Sequence, residues 1–193
     1  MAAGDRLTRD EYDIVAFPAD HRPDSLGYAL AEHVRLGRFQ PERAREFGIP
    51  EGPLWGKLHK GERVALVDGR TVGPEDLVGP TRTGRLVVFS GDSRPTPAIV
   101  AAAAGADLII HDATFGDDEQ QRAVETGHST AREAARVARD AGARRLLLTH
   151  ISARYTRDAP DLLAEARSVF PETMIARDGM SIEVPFADAD ATA

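Results

Sequence analysis

Apolar and polar positions along this chain change rhythm twice. Tyr12 to Phe17 and Leu26 to Ala31 are short apolar-rich runs on either side of the polar stretch Asp20-His21-Arg22-Pro23-Asp24. Proline at 18 and 23 disfavours a helix and suits a turn, so the pattern predicts two strands joined tightly. Residues 34–82 read differently. Pro41, Pro50, Pro53, Pro74 and Pro80 interrupt them together with many glycines. Only short strand candidates show there, such as Arg63 to Val67 ahead of the Asp68-Gly69 turn. A loop-rich insert of this length inside a domain is uncommon, and such segments are functional or mobile.

From Arg85 onward strand and helix patterns alternate. Strands are expected at 86–90, 108–111, 146–149 and 180–184, with helices over about 95–104, 130–141 and 160–169. The helix after His128 is the best marked. Thr130 and Glu133 form a capping box, Ala134, Val137, Ala138 and Ala141 make one apolar face, and Gly142 suits its end. The alternation predicts an α/β domain with helices packed on a sheet. The Ala-Asp-rich tail, 186–193, is expected to be disordered.

Composition narrows the chemistry. The chain has 193 residues, 42% hydrophobic and 28% charged, as in an ordinary globular domain with room for a core. No apolar run reaches the ~18 residues of a membrane span, and the N-terminal residues lack the apolar stretch of a secretory signal. A cytoplasmic location is expected. Cysteine is absent, so disulfides and thiolate ligands are excluded and any metal must be held by His, Asp or Glu. A net charge of −7 argues against general affinity for nucleic acid but leaves room for a local basic patch.

Three residues stand at expected strand ends. His21 follows the first strand, Asp92 lies in Phe89-Ser90-Gly91-Asp92, and His150 follows Leu146-Leu147-Leu148-Thr149. Singly, such residues are commonly caps or hydrogen-bonding groups. On one sheet rim, where α/β proteins gather ligands, two imidazoles and a carboxylate suit a borderline metal such as zinc. His128 precedes the capped helix and is either a solvated residue or a proton donor beside a helix N-terminus that favours phosphate. Asp112 ends another strand and could set the tautomer of His128. His33 and His59 read as surface residues. Lys57, His59, Lys60 and Arg63 form a basic run, either a solvated face or a grip on a phosphate backbone.

Phe89-Ser90-Gly91-Asp92, His111-Asp112-Ala113-Thr114-Phe115, Gly127-His128-Ser129-Thr130 and Thr149-His150-Ile151-Ser152-Ala153-Arg154-Tyr155 resemble, in order and spacing, the motifs of ribonuclease Z. This is the tRNA 3′-processing endoribonuclease family of the metallo-β-lactamase superfamily. His21 with Ser25-Leu26-Gly27-Tyr28 looks like a further metal motif, and Gly48-Ile49-Pro50-Glu51-Gly52-Pro53 looks like the family's flexible tRNA-gripping arm. The resemblance implies the C-terminal half of an αββα sandwich over residues 1–185, with the arm inserted at about 34–82. It implies two zinc ions bridged by Asp92, with His21 completing one shell and His150 the other. His128 would donate a proton to the departing ribose oxygen with Asp112 behind it. Lys57, Lys60, Arg63 and Arg154 would contact RNA. Precursor tRNA as substrate and a homodimer are implied as well.

Two departures from the family pattern shape the expectations. The family usually has Glu where this chain has Asp112, and the shorter side chain is expected to loosen the contact with His128. The family's His-x-His-x-Asp-His motif, which supplies most other zinc ligands, is absent from the sequence and belongs before His21. The N-terminal half of the sandwich is therefore expected to be missing, leaving apolar surface uncovered. The chain alone is expected to bind zinc weakly and not to cut RNA, unless a separate N-terminal half completes it. Two alternatives stay open: another hydrolase of the superfamily acting on phosphodiesters or sulfate esters, and a non-catalytic tRNA-binding remnant.

Overall fold

The structure, a computed structural model, describes residues 1–155 and 159–186. In chain order its elements begin with β1 (Arg6–Thr8), β2 (Tyr12–Pro18) and β3 (Leu26–Glu32). Next come α1 (Pro41–Glu46), α2 (Pro53–His59), β4 (Val64–Ala65), β5 (Thr71–Val72) and α3 (Pro74–Leu77). The alternating stretch contains β6 (Leu86–Phe89), α4 (Pro97–Ala102), β7 (Leu108–Asp112), α5 (Gln120–Thr126), α6 (Ala131–Asp140), β8 (Leu146–Thr149), α7 (Pro160–Arg167) and β9 (Thr173–Ile175). The chain divides into two units, one of Met1–His33 with the chain from Arg85 on, the other Val34–Gly84.

The first unit is built on a seven-stranded sheet of order β1-β2-β3-β6-β7-β8-β9. The pairings from β1 to β6 are antiparallel, and those from β6 to β9 are parallel. Parallel strands bring the C-terminal ends of β6, β7 and β8 to one rim. Because β3 runs opposite to β6, with Tyr28 beside Phe89, the β2–β3 turn reaches that same rim. Helices pack on the sheet face that carries Val88, Ile109, Leu146 and Leu148, all wholly buried. Burial of each such side chain contributes roughly 1.5–3 kcal/mol. Alanines 131, 134, 135 and 138 on α6 let that helix approach closely. On the opposite face Leu7, Tyr28, Leu30 and Phe89 are 36–43% exposed, and strand register sets Tyr28 beside Phe89.

The α6 start forms as its sequence dictates. Glu133 N–H donates to Thr130 Oγ1 at 3.2 Å, and Thr130 N–H donates to Glu133 Oε2 at 2.9 Å. Gly142 takes the left-handed conformation just past its end.

Several expectations need correction. The closing strand is Thr173–Ile175, whereas 180–184 has no regular structure. Its alternating apolar pattern is real, but the three-residue run Thr-Met-Ile follows α7 directly and takes the place parallel to β8. Strand β1 and helix α5 escaped notice because β1 is exposed throughout and α5 buries only Ala123. Of the tail expected to be disordered, only Phe186 is described, and 187–193 lie outside the described residues. Among the described residues no helix is long and apolar enough to cross a membrane.

The second unit holds three helices where only short strands were expected. Each opens with a proline, Pro41, Pro53 or Pro74, in its first turn. Proline breaks a helix interior but suits the first turn, where its missing N–H has no partner to lose. Ala44, Ile49, Leu58, Val64, Val72 and Leu77 form this unit's own buried cluster. Trp55 packs 5.3 Å from Phe39 and donates its indole N–H to the Ile49 carbonyl at 3.1 Å.

Candidate metal centre

Four sheet-rim connections and the α5–α6 junction carry the site. The β2–β3 turn brings His21, the end of β6 brings Asp92, β7 ends on Asp112, and β8 is followed by His150. His128 comes from the junction between α5 and α6. The junction turns at Gly127, left-handed at φ +75°, where a Cβ would lie 3.0 Å from His21 Nδ1. His150 is itself left-handed at φ +60°. A non-glycine residue held there is strained, and such strain collects at functional sites. Gly91, at φ +64°, approaches the Leu26 carbonyl rather than an open site.

The structure brings the candidates together. Among the described residues, Asp92, His128 and His150 form the group of potential metal ligands, with one ligand atom from each within 4.8 Å of the others. His150 Nε2 lies 3.5 Å from Asp92 Oδ2. His21 is not in this trio, yet its ring stands 4.7 Å from that of His128, whose other neighbour, the His150 ring, stacks at 4.9 Å.

Each imidazole is held from behind through Nδ1. His21 Nδ1 is 3.0 Å from the Gly127 carbonyl, which only accepts, so Nδ1 carries the proton. His128 Nδ1 donates to Asp112 Oδ2 at 2.7 Å. His150 Nδ1 is 2.7 Å from Thr114 Oγ1. In the rings of His21 and His128 this leaves Nε2 as the atom on offer.

Asp112 is wholly buried and meets donors on both oxygens. Oδ2 accepts from Ser93 N at 3.1 Å and from His128, while Oδ1 accepts from Thr114 N at 2.9 Å and Thr114 Oγ1 at 2.7 Å. The expected loosening of the Asp112–His128 contact does not occur. The donors crowd the carboxylate from behind, and the ring sits close enough for the shorter side chain to reach.

A second layer went unread in the sequence. Arg94 donates to the His128 carbonyl at 2.5 Å and to Glu133 Oε2 at 2.7 Å, and its other nitrogen pairs with Glu133 Oε1. Hydrogen bonds from Arg94, Thr130 and Gln120 hold the Glu133 carboxyl below its ordinary value, against the largest single effect, burial, which raises it. Ser93 Oγ accepts from Asp20 N at 2.9 Å and so ties the β2–β3 turn to the site. Glu133 was visible only as a cap, and Ser93 and Arg94 only as neighbours of Asp92. His111 is fully buried, with Nδ1 donating to the Asp112 carbonyl at 2.8 Å.

The remaining candidates lie apart from the trio. Arg154 pairs with Glu119 at 2.9 Å and stands over the Phe115 ring. In the second unit Lys57 and Lys60 are exposed, and Arg63 pairs with Glu75. His33 and His59, read as surface residues, are half-buried and bond to the carbonyls of Asp10 and Gly37. Beside His150 opens a cleft of about 490 Å³ lined by Thr149–Ala153, Tyr155 and Ala176–Asp178.

Residues 59–151 match the β-lactamase superfamily domain. The chain is 57% identical over 190 residues to ribonuclease Z of Gemmatimonas aurantiaca, covering 97% of this chain and 60% of that protein. Ribonuclease Z of Myxococcus xanthus is 56% identical, covering 96% and 61%, and that of Haloferax volcanii 55%, covering 94% and 57%. Along nearly its whole length the chain is thus similar to ribonuclease Z. It spans about 60% of the length of these ribonuclease Z relatives.

Two solved structures share the fold. The metallo-β-lactamase fold protein YhfI from Bacillus subtilis superposes with a TM-score of 0.57 at 23% identity, over 95% of this chain and 54% of its own. The short form of human tRNase Z gives 0.56 at 24%, over 93% and 46%. The mixed sheet with helices is thus a metallo-β-lactamase fold.

Proposed function

We propose that this chain carries the rim of a zinc-dependent endoribonuclease that removes the 3′ trailer from precursor tRNA. The observation behind this reading is the group of His128 and His150 with the exposed carboxylate of Asp92, the His21 ring standing 4.7 Å from that of His128. Imidazole nitrogen with carboxylate oxygen is a donor set that fits zinc. In this reading Asp92, His21 and His150 are the metal ligands. When bound, a pair of zinc ions activates water and neutralises charge on the scissile phosphate.

The chain's own residues do the rest. His128, charged, gives a proton from Nε2 to the ribose oxygen as the phosphorus–oxygen bond breaks, and Asp112 behind Nδ1 supports the charged ring. Lys57 and Lys60 on the 34–84 unit are exposed and suit backbone phosphates, joined by Arg63 and Arg154. That unit is the tRNA-gripping arm in this reading. The homodimeric, cytoplasmic enzyme implied by the resemblance goes with the same substrate.

Zinc usually takes three or four protein ligands, so two ions ask for more donors than Asp92, His21 and His150 supply. The other donors then come from polypeptide beyond these residues, and the chain alone binds zinc weakly and leaves RNA uncut. The test is cleavage of a precursor tRNA with zinc, by this chain alone and mixed with a polypeptide carrying His-x-His-x-Asp-His. A cut at the trailer junction only in the mixture is expected. Turnover by the chain alone would overturn the incomplete-site reading, and silence in both would overturn the enzymatic one.

A further inference from the structure

Thr114 lies in the phrase His111-Asp112-Ala113-Thr114-Phe115, between the buried carboxylate and the His150 ring. Its hydroxyl has one proton and stands between two groups that cannot both accept it. Asp112 Oδ1 is 2.7 Å away on one side and His150 Nδ1 is 2.7 Å away on the other. The same carboxylate already receives N–H groups from Ser93, Thr114 and the ring of His128. A carboxylate offers about four acceptor positions, and the Thr114 hydroxyl fills the fourth. The hydroxyl proton therefore points at Asp112, and the hydroxyl lone pair faces His150. Only a proton on Nδ1 of His150 satisfies that arrangement.

We infer that Thr114 is a positioning residue that locks His150 in its Nδ1–H tautomer and so keeps Nε2 free at the rim. Asp112 governs two imidazoles at once, His128 directly and His150 through one hydroxyl. Thr114 is 6% exposed and its backbone N–H also binds Asp112, so the hydroxyl has no freedom to reverse. An imidazole without such a partner favours the proton on Nε2 in water, which would occupy the atom that faces Asp92 at 3.5 Å. The left-handed backbone of His150 fixes where the ring starts, and Thr114 fixes how it is protonated.

The consequence for metal binding rests on the zinc reading given above, but the tautomer does not. The first measurement is therefore nitrogen NMR of the metal-free chain, above the histidine titration range, for wild type, Thr114→Val and Thr114→Ser. Wild type and Thr114→Ser are expected to show His150 as Nδ1–H, and Thr114→Val as mainly Nε2–H. His128, held by Asp112 directly, serves as the internal control for a folded site. A wild-type His150 protonated on Nε2, or a Thr114→Val ring still protonated on Nδ1, would overturn the inference. The second measurement is zinc affinity of the same three proteins. Orienting partners of ligands typically contribute 10–100-fold, so Thr114→Val is expected to weaken binding by that factor while Thr114→Ser stays near wild type. A tautomer switch with unchanged zinc affinity would support the positioning role and count against the metal reading alone.

Discussion

Oδ2 of Asp112 lies 2.7 Å from Nδ1 of His128, and the carboxylate that makes this contact is wholly buried. Length is thus not what limits the pair. Replacing Asp112 by Asn keeps the shape but turns an amide toward donors that need an acceptor. In the cleavage-competent assembly Asp112→Asn is expected to slow cleavage by about 10²–10⁴-fold, the range for loss of general acid–base catalysis. Asp112→Glu restores the family's residue but adds a methylene to a filled pocket, costing about 1–3 kcal/mol of stability. Single-turnover cleavage and urea unfolding of both variants check this. Wild-type rates in Asp112→Asn would contradict it.

Arg94 joins the His128 backbone to Glu133, and both side chains of the ion pair are largely buried. Removing one member of such a pair leaves the other charge unpaired, typically at a cost of ~3–5 kcal/mol. Arg94→Ala is expected to lose stability on that scale and to release the His128 junction. Chemical denaturation reads the first effect and the His128 ring signal the second. A loss below about 1 kcal/mol, as for an exposed pair, would mean the interaction is superficial.

Burial pushes the His111 imidazole below its ordinary value, partly offset by its hydrogen bond to the Asp112 carbonyl. Its Nε2 is buried with no hydrogen-bond partner among the described residues. As pH falls through about 6.5, the unfolded ring takes a proton that the folded ring refuses. The contribution to stability is therefore complete above that pH and declines below it, until the folded ring also protonates. One such proton gives a slope of at most about 1.4 kcal/mol per pH unit. Urea midpoints of wild type and His111→Phe between about pH 8 and pH 5 should diverge on the acid side, wild type falling faster. Parallel curves would contradict the assignment.

The basic residues of the 34–84 unit are not equivalent. Lys57 and Lys60 are exposed, whereas Arg63 is engaged with Glu75. If Lys57 and Lys60 neutralise tRNA phosphates, replacing both by Ala should lower the slope of log affinity against log salt by roughly 1.4–1.8. Arg63→Ala should change it less. Filter binding of precursor tRNA over a salt series decides, and an unchanged slope in the double variant removes these lysines from the interface.

The sequence made the rim legible because its strands are short apolar runs with the functional residue directly after each, as at Leu148-Thr149-His150. Capping at Thr130 and Glu133 was legible for the same local reason. What it hid was contact between distant stretches. Arg94 meets Glu133 across 39 positions and Thr114 meets His150 across 36, and no local pattern marks either. The helices at Pro41, Pro53 and Pro74 were hidden by proline itself, which ends an element in one context and opens it in another.

Zinc titration of the purified chain, compared with Asp92→Ala, His150→Ala and His128→Ala, tests the metal centre most directly. Weak binding by wild type, lost in Asp92→Ala and His150→Ala but kept in His128→Ala, is the expected result. Equal binding by wild type, Asp92→Ala and His150→Ala would contradict a metal centre at this rim. Loss in His128→Ala would make that imidazole a ligand rather than the proton donor.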